Sequence, residues 1–442
     1  MAIEDPNLFR ASRIHRPALI AVSVVALLLS SVPSHALILK TWNGVGTPAL
    51  ANTTAPADDP GWANLASNKT GIYLGDGLFL TAHHAAAAGN VVLGGQTYPL
   101  IPGSAHLLNN PATFGARTVA SGVITEQSDL MLFRIGLNAQ TGLLPEEANS
   151  SIRVIKIADE LPPTSANLTM FGFGANRILN PDNSTNGQWY FAGDGTTVPT
   201  QGQSSYRGFK YTPQPSESTR QWQWGQNVRT TNSGGAYQSG NNIHIDLGAP
   251  YKDAIGFQMR FDEFGLPDEA QGAAGDSGGP VFWKDGNEWV LAGLMHGIYI
   301  PNNDLDLLGA FTSYTAISDL SYSTYASQLA SASSTYSVMG DINLDGVVTG
   351  GIVNGVATGD LAVLVNNWLY SSEEANIHTW TKGDLNLDGK VNLADFVQMR
   401  GALGGTISST AFARLLGATT IPEPSTLVLA VAALAPLRRR RR

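Results

Sequence analysis

The run Gly275-Asp276-Ser277-Gly278-Gly279-Pro280, followed at once by the apolar Val281-Phe282-Trp283, constrains this chain more than any other stretch. It sets a single serine in a loop so rich in glycine that backbone N–H groups can point inward. The remaining sequence favours the same strand-and-turn style. Of 442 residues, 48 are Gly and 23 are Pro, while charged residues make up only 14%, so helix-stabilising charge is scarce and short strands are favoured. At roughly 150 residues per folded unit the length predicts about three units, not one small module. The formal charge is -9 and no Lys/Arg cluster lies outside the two ends, which sets nucleic acid aside as a partner. There is no Cys, so disulfide staples, thiolate metal sites and a cysteine nucleophile are excluded.

Serine is a poor nucleophile at neutral pH. Acyl transfer needs an imidazole to take its proton and a buried carboxylate to fix the imidazole tautomer. Two further segments supply those groups. Ile72–Leu80 reads as a hairpin around Gly75-Asp76-Gly77 and runs straight into Thr81-Ala82-His83-His84-Ala85. Ser128-Asp129 sets an acid at the mouth of a largely buried strand, Leu130–Ile135, where it needs a partner. In this order of His, Asp and Ser, with the strings TAHH, SDLMLF and GDSGGP, the chain resembles the chymotrypsin-like (trypsin-fold) serine peptidases over about residues 37–330. The resemblance implies a mainly β domain of two antiparallel six-stranded barrels. It makes His84 the general base, Asp129 its orienting acid and Ser277 the nucleophile, with the N–H groups of Gly275 and Ser277 as an oxyanion hole. It implies a protein or peptide substrate and no cofactor for catalysis. His83 stands where the family commonly has Ala and is read as a bystander.

Several residues depart from the family pattern. Ala85 replaces a usual cysteine, so packing alone must hold the histidine loop. No Ile-Val-Gly-Gly sequence is present, yet Leu37 is apolar and lies 47 residues before His84, roughly the family's separation. Either cleavage creates an ammonium at Leu37 that docks on Asp276, or internal hydrogen bonds satisfy Asp276. Gln271 stands six residues before Ser277, where trypsin has an acid, and argues against Arg or Lys in the substrate pocket. Along Val290–Ile298, period-two alternation puts Met295 and Gly297 on one face and His296 on the other. By the family pattern Met295 faces the pocket and His296 faces Asp129, Ile298 replaces a wall glycine, and Gly309 keeps the opposite one. A shortened pocket for small or apolar side chains follows. A register slipped by one puts His296 in the pocket instead and favours an acidic side chain. The 148 residues from Asp129 to Ser277 exceed the family's usual need. The Asn/Gly/Ser/Gln-rich stretch 179–245 reads as loops on the second barrel, with Trp189, Trp222 and Trp224 as buried anchors or a carbohydrate surface.

The two ends read as addresses. Arg10, Arg13 and Arg16 precede a 15-residue apolar run, Ala18 to Val32, and then Ser34-His35-Ala36, a secretory signal peptide cut after Ala36. At the other end Pro422-Glu423-Pro424 leads into a 12-residue run, Thr426 to Leu437, and five arginines, Arg438 to Arg442. At about 1.5 Å per residue that run covers roughly 18 Å of an approximately 30 Å hydrocarbon layer. The composite resembles the PEP-CTERM sorting signal. That implies a bacterial secreted or cell-surface protein, met by signal peptidase, held transiently in the inner membrane and recut by an exosortase. Without both ends, 18 basic residues face 32 acidic ones.

Past a linker at 331–338, two related segments carry calcium-loop spacing. In the second, Asp384, Asn386, Asp388, Asn392 and Asp395 fall at loop positions 1, 3, 5, 9 and 12, with Gly389 at 6 and the Lys390 carbonyl at 7. The first reads Asp341, Asn343, Asp345, Gly346, Val347 (by its carbonyl) and Thr349, then an insertion of about eight residues before Asp360. A loop and one helix, used twice, resembles the dockerin repeat pair over about residues 339–405, a small α-helical module before a linker at 406–421. The resemblance implies structural Ca²⁺ and a cohesin-like surface partner. The whole therefore reads as an exported serine endopeptidase with a tethering module. A non-catalytic surface scaffold and an ester-directed acyl-transfer enzyme stand as the other readings.

Overall fold

The computed structural model describes residues 34–40, 52–115, 117–118, 124–174, 177–178, 189–191, 206–211, 220–231, 238–262, 265–299, 313–333, 338–373 and 377–417. The apolar run at 18–32, Gly309 and the tail at 422–442 lie outside the described residues. Among the described residues no helix is long and apolar enough to cross a membrane. The chain is mainly β.

Strands β1 (Ile72–Gly75) and β2 (Leu78–Ala82) form a hairpin whose turn residues Asp76 and Gly77 both have positive φ, 50° and 74°. With β3 (His106–Asn109) and β4 (Gln127–Arg134) they make a four-stranded sheet in the order β1-β2-β4-β3. Strand β4 is apolar from Leu130 to Phe133, where both of its faces are covered. Leu130 and Leu132 join Ile72 and Leu80 in one apolar cluster, while Met131 and Phe133 join Tyr73 and Phe79 in another.

The second sheet uses β5 (Asn167–Gly172), β6 (Gln223–Val228), β7 (Gln238–Ser239), β8 (Asn242–Ile245), β9 (Ala254–Arg260), β10 (Pro280–Asp285), β11 (Glu288–Tyr299) and β12 (Tyr314–Ser318). Their order is β6-β5-β10-β11-β12-β9-β8-β7. Six of the eight come back on themselves. Arg229, one residue past β6, bridges Met259 of β9, and Thr230 N–H donates to Gln258 O at 3.1 Å.

The expected pair of six-stranded barrels is thus found as a four-stranded and an eight-stranded sheet, the first continued beyond its four strands, among the described residues, by isolated bridges alone, Leu65 to Ile72 and Leu100 to Ile135. Two causes are visible. Around the first sheet Val91–Leu93 forms a ladder with Gln96–Tyr98, and Thr113–Phe114 with Arg117–Thr118; the first of these short ribbons is tied to its surroundings by single bonds, such as Ser67 N–H to Val92 O at 2.9 Å and Gly136 N–H to Pro99 O at 2.8 Å. In the second, the β7–β8 hairpin adds two strands outside the six.

Helix α1 (Ser323–Ser333) leaves the second sheet and returns to the first. Tyr325 is fully buried and its hydroxyl accepts the Ile255 N–H at 2.9 Å, while Gln328 bonds both backbone groups of Asn109 at 2.8 and 3.0 Å. The helix takes in the first three residues of the stretch read as a linker, and 334–337 lie outside the described residues.

The C-terminal module holds α2 (Gly359–Asn366), α3 (Leu393–Ala402) and α4 (Ser409–Leu415). The insertion in its first loop is a hairpin of Gly350–Val353 with Val356–Thr358. Helix α4 occupies part of the stretch read as a second linker. Ser408 caps it by accepting the Ala411 N–H at 3.1 Å, and Phe412 stacks on Phe396 at 3.7 Å. Ile101 and Leu144, which flank the first sheet, share one apolar cluster with Ile342, Leu344, Phe396 and Phe412, so the module has no core wholly its own.

Candidate active site

Strand register brings the histidine and the acid together. In the β2–β4 pairing Leu130 faces Ala82, so the next residues outward, Asp129 and His83, meet across the same ladder, with His83 N–H to Asp129 O at 2.7 Å. The chain then turns His84 onto the carboxylate. Asp129 Oδ1 accepts the His84 backbone N–H at 3.0 Å, and Oδ2 accepts His84 Nδ1–H at 2.5 Å. A carboxylate only accepts, so Nδ1 carries the ring hydrogen and His84 Nε2 keeps its lone pair.

A second imidazole shares that carboxylate. His296 Nδ1 lies 2.8 Å from the same Asp129 Oδ2, and the His296 ring is fully buried. The β11–β12 pairing explains its direction. Met295 faces Ile317 and Gly297 faces Ala316, so His296 is the extra residue of a bulge, and bulges re-aim a side chain. The slipped register is not adopted: Met295, 2% exposed, joins the apolar cluster of Ile317 and Val281. Burial alone would raise the Asp129 carboxyl, but the bonds from His296 and His84 outweigh it and hold it lowered to about 2.

Ser277 stands on the same network. Its hydroxyl donates to the His296 carbonyl at 3.2 Å, and no bond joins it to His84 in this structure. The loop that carries it is tied at three amides. Asp276 N–H bonds Ala273 O at 3.0 Å, Gly278 N–H bonds Met295 O at 2.8 Å, and Gly279 N–H bonds Asp276 O at 2.8 Å. Among the described residues the N–H groups of Gly275 and Ser277 have no acceptor. Gly275 holds φ at 93°, a conformation a Cβ would disfavour. A Cβ on Gly174 would lie 2.5 Å from Ala274 O and 2.6 Å from Asp276 N, so this glycine lets β5 press against the serine loop. The sequence reading missed Gly174, whose signal was the Gly172-Phe173-Gly174 spacing at the end of an apolar strand.

Asp276 is fully buried. One oxygen accepts Gly174 N–H at 2.7 Å, and the other accepts Ala273 N–H at 2.7 Å and Leu37 N–H at 3.3 Å. The structure thus shows the internal-amide option, with the Leu37 N–H as one of the three donors. Desolvation pushes its carboxyl up to about 7 against those amide bonds.

Gln271 is fully buried, and neither amide atom finds a partner among the described residues. Ile298 is half-buried on β11, and Gly309 lies outside the described residues. Trp222 is a buried anchor whose indole N–H donates to Ala66 O at 2.6 Å, while the side chain of Trp189 lies outside the described residues.

The two calcium-spaced loops have the same internal wiring. Asp341 accepts the N–H groups of Asp345 and Gly346 at 3.1 and 2.8 Å, as Asp384 accepts those of Asp388 and Gly389 at 3.0 and 2.9 Å. Asp360 accepts Ile342, Asn343 and Thr349 N–H groups at 2.9, 3.1 and 2.7 Å. Asp395 accepts Leu385, Asn386 and Asn392 N–H groups at 2.8, 3.2 and 2.8 Å. The inserted hairpin therefore brings Asp360 to the place that Asp395 holds without one. Asn343, Asp345, Asn386 and Asp388 are solvent-exposed at the loop mouths.

A hydroxyl, an imidazole with a free lone pair, a buried carboxylate and two unengaged amides are the parts that acyl transfer uses. No protein-family model matches the chain, and no curated protein matches it. Among solved structures it is similar to the Hap adhesin of Haemophilus influenzae, with 13% identity over 63% of this chain and a TM-score of 0.32. It is also similar to neuropsin, a serine protease expressed in the limbic system of mouse brain, with 14% identity over 59% of this chain and 87% of that one, and a TM-score of 0.31. The chain spans 23% of the length of the adhesin.

Proposed function

We propose that the protein is an exported, trypsin-like serine endopeptidase working through an acyl-enzyme on Ser277. One observation carries this reading: a buried carboxylate fixes His84 from two sides, beside a serine flanked by unengaged amides. Ser277 Oγ leaves the His296 carbonyl, turns to His84 Nε2 and attacks the scissile carbonyl as the imidazole takes its proton. The charge that collects on the carbonyl oxygen is held by the Gly275 and Ser277 N–H groups. His84 then returns the proton to the leaving amine, and water repeats the sequence to free the acid. Hydrogen bonds between nucleophile and base commonly tighten only once substrate is bound.

A fluorophosphonate is expected to label the protein at Ser277, with labelling lost in Ser277→Ala. Absence of label in processed, calcium-loaded protein would favour a binding scaffold, the second reading, which the Ser277 bond to His296 O supports. The neutral, buried Gln271 and the half-buried Ile298 favour small or apolar side chains before the scissile bond. Peptides with Ala or Leu there should be cleaved at least about tenfold faster than those with Arg, since an unpaired buried charge costs several kcal/mol.

For the C-terminal module we propose structural Ca²⁺. Asp341, Asn343, Asp345, Thr349 and Asp360 would hold one ion with the Val347 carbonyl, and Asp384, Asn386, Asp388, Asn392 and Asp395 a second with the Lys390 carbonyl. The donor set fits a hard cation: all oxygen, with glycine at the sharp turn. Burial, with Asp360 and Asp345 nearby, pushes the Asp341 carboxyl up to about 6, a cost that a bound cation would remove. Chelation should lower the thermal midpoint by more than about 5 °C, as loss of a ligand bound well above its Kd does. The fall should extend to the first sheet, because Ile101 and Leu144 share the module's apolar cluster. An unchanged melting curve in excess chelator would sink the proposal. The leader, the sorting tail and a cohesin-like partner for the module complete the proposal: cleavage by signal peptidase and an exosortase, and display at the cell surface.

A further inference from the structure

A cavity of about 360 Å³ opens beside the histidine loop. One wall is Ala85 to Ala88, the four residues that follow His84, and another is Phe173. Phe173 adjoins Gly174, which is packed against the backbone of Ala274 and Asp276, so this wall continues into the loop that carries Gly275 and Ser277. The cavity is therefore bounded by the segment that follows the base and by Phe173, whose neighbour Gly174 packs on the loop of the unengaged amides. Neither Gln271 nor Met295 lines it. A serine hydrolase contacts its substrate on two sides, the acyl half and the departing amine half. With Gln271 assigned to the acyl side by the hydrolase reading, this cavity is assigned to the amine half.

Its charge is opposite to that of the chain. Among the described residues Lys69 and Arg220 line it and no Asp or Glu does, in a protein of formal charge -9. Both cations are positioned by neighbours. Lys69 Nζ donates to Ala87 O at 3.2 Å across the cavity's own wall. Arg220 lies on a short strand followed by Trp222, whose ring packs on Phe173 at 4.9 Å. The backbone edge at Arg220 also accepts an extended chain, since Ser34–His35 pairs with Arg220–Gln221 in parallel.

We propose that this cleft is a subsite for an acidic side chain, Asp or Glu, one to three residues past the scissile bond. A carboxylate entering it would meet an ammonium and a guanidinium, both able to donate charge-assisted hydrogen bonds. The inference rests on the hydrolase reading, and its tests separate the two. Quenched peptides varied at the three positions after the cleaved bond should show at least about a tenfold higher kcat/KM for Asp or Glu than for Lys at one of them. That ratio should shrink with added salt. It should fall several-fold in Lys69→Gln and reverse in Lys69→Glu/Arg220→Glu, each confirmed folded by near-ultraviolet dichroism. Ser277→Ala protein, which cannot turn over, should bind a fluorescent acidic peptide more tightly than its lysine counterpart. A protein that labels at Ser277 but cleaves acidic and lysine peptides equally would overturn the subsite and leave the hydrolase reading standing. A protein without label or turnover overturns the hydrolase reading, and equal binding of the two peptides by Ser277→Ala then removes the subsite too.

Discussion

Protein beginning at Leu37 is expected to cleave a peptide at least about 100-fold faster than protein that keeps residues in front of Leu37, the scale on which loss of one oxyanion donor slows acyl transfer. Three observations converge on this junction. The Leu37 nitrogen lies 3.3 Å from an Asp276 oxygen, with the side chain fully packed against Gly172. Leu37 holds φ at 64°, a left-handed conformation that costs a non-glycine residue on the order of 1 kcal/mol. After a cut before Leu37 that dihedral no longer exists, and the nitrogen becomes an ammonium. Asp276, meanwhile, has amide donors but no cation among the described residues, and burial has raised its carboxyl from 3.8 to about 7. A raised acid binds its proton more tightly folded than unfolded. The uncut chain should therefore lose stability as pH rises from about 4 to about 7, by up to roughly 4 kcal/mol. The ammonium should cancel most of that loss in the cut chain. Asp276→Asn should accordingly stabilise the uncut protein at pH 8 and abolish the gain in activity on cutting. Thermal midpoints of cut and uncut Ser277→Ala protein between pH 5 and 8 measure the first effect. Equal peptidase rates for the two chain starts would end the idea.

What the sequence made legible was local chemistry. The β1–β2 hairpin followed from a Gly-Asp-Gly turn, and the need of Asp129 for a partner from its place at a strand mouth, while its pairing with His84 came from the family resemblance. The repeated oxygen spacing at 341–349 and 384–395 identified two loops that turn out to be wired alike. Other features depend on tertiary contacts and leave little local trace. Helix α1 is mostly Ser and Ala with a narrow apolar stripe of Tyr325, Leu329 and Ala332, and it holds because that stripe joins the core and Tyr325 and Gln328 find partners on distant strands. Helix α4 is similar: its buried Phe412 stacks on Phe396, but too few other apolar residues mark its period. Strand count in the first sheet was set by short ribbons that form no ladder with it. The bulge at His296 is one extra residue of β11 against β12, and the Lys69–Arg220 cleft joins segments about 150 residues apart.

Asp129→Asn should lower kcat by about 10⁴-fold with little loss of peptide binding, the scale expected when the base is left in the wrong tautomer. Asp129 takes three donors on two oxygens: the His84 N–H, His84 Nδ1–H and His296 Nδ1–H. An amide has only one acceptor oxygen. If its NH₂ faces the two rings, His84 must put its hydrogen on Nε2, where Ser277 needs a lone pair. If instead its oxygen faces the rings, its NH₂ meets the His84 backbone N–H and the loop shifts. His296→Ser leaves the two His84 bonds intact, so its loss in kcat should stay within about tenfold. The two imidazoles also hold the Asp129 carboxyl lowered to about 2, so its folded value lies below the unfolded one. The stability it contributes is full above about pH 4 and is lost as pH falls towards 2, so this group should set no limb of the rate profile between pH 5 and 8. A kcat for Asp129→Asn within tenfold of the parent, in protein that still labels at Ser277, would show that His84 draws no orientation from this carboxylate.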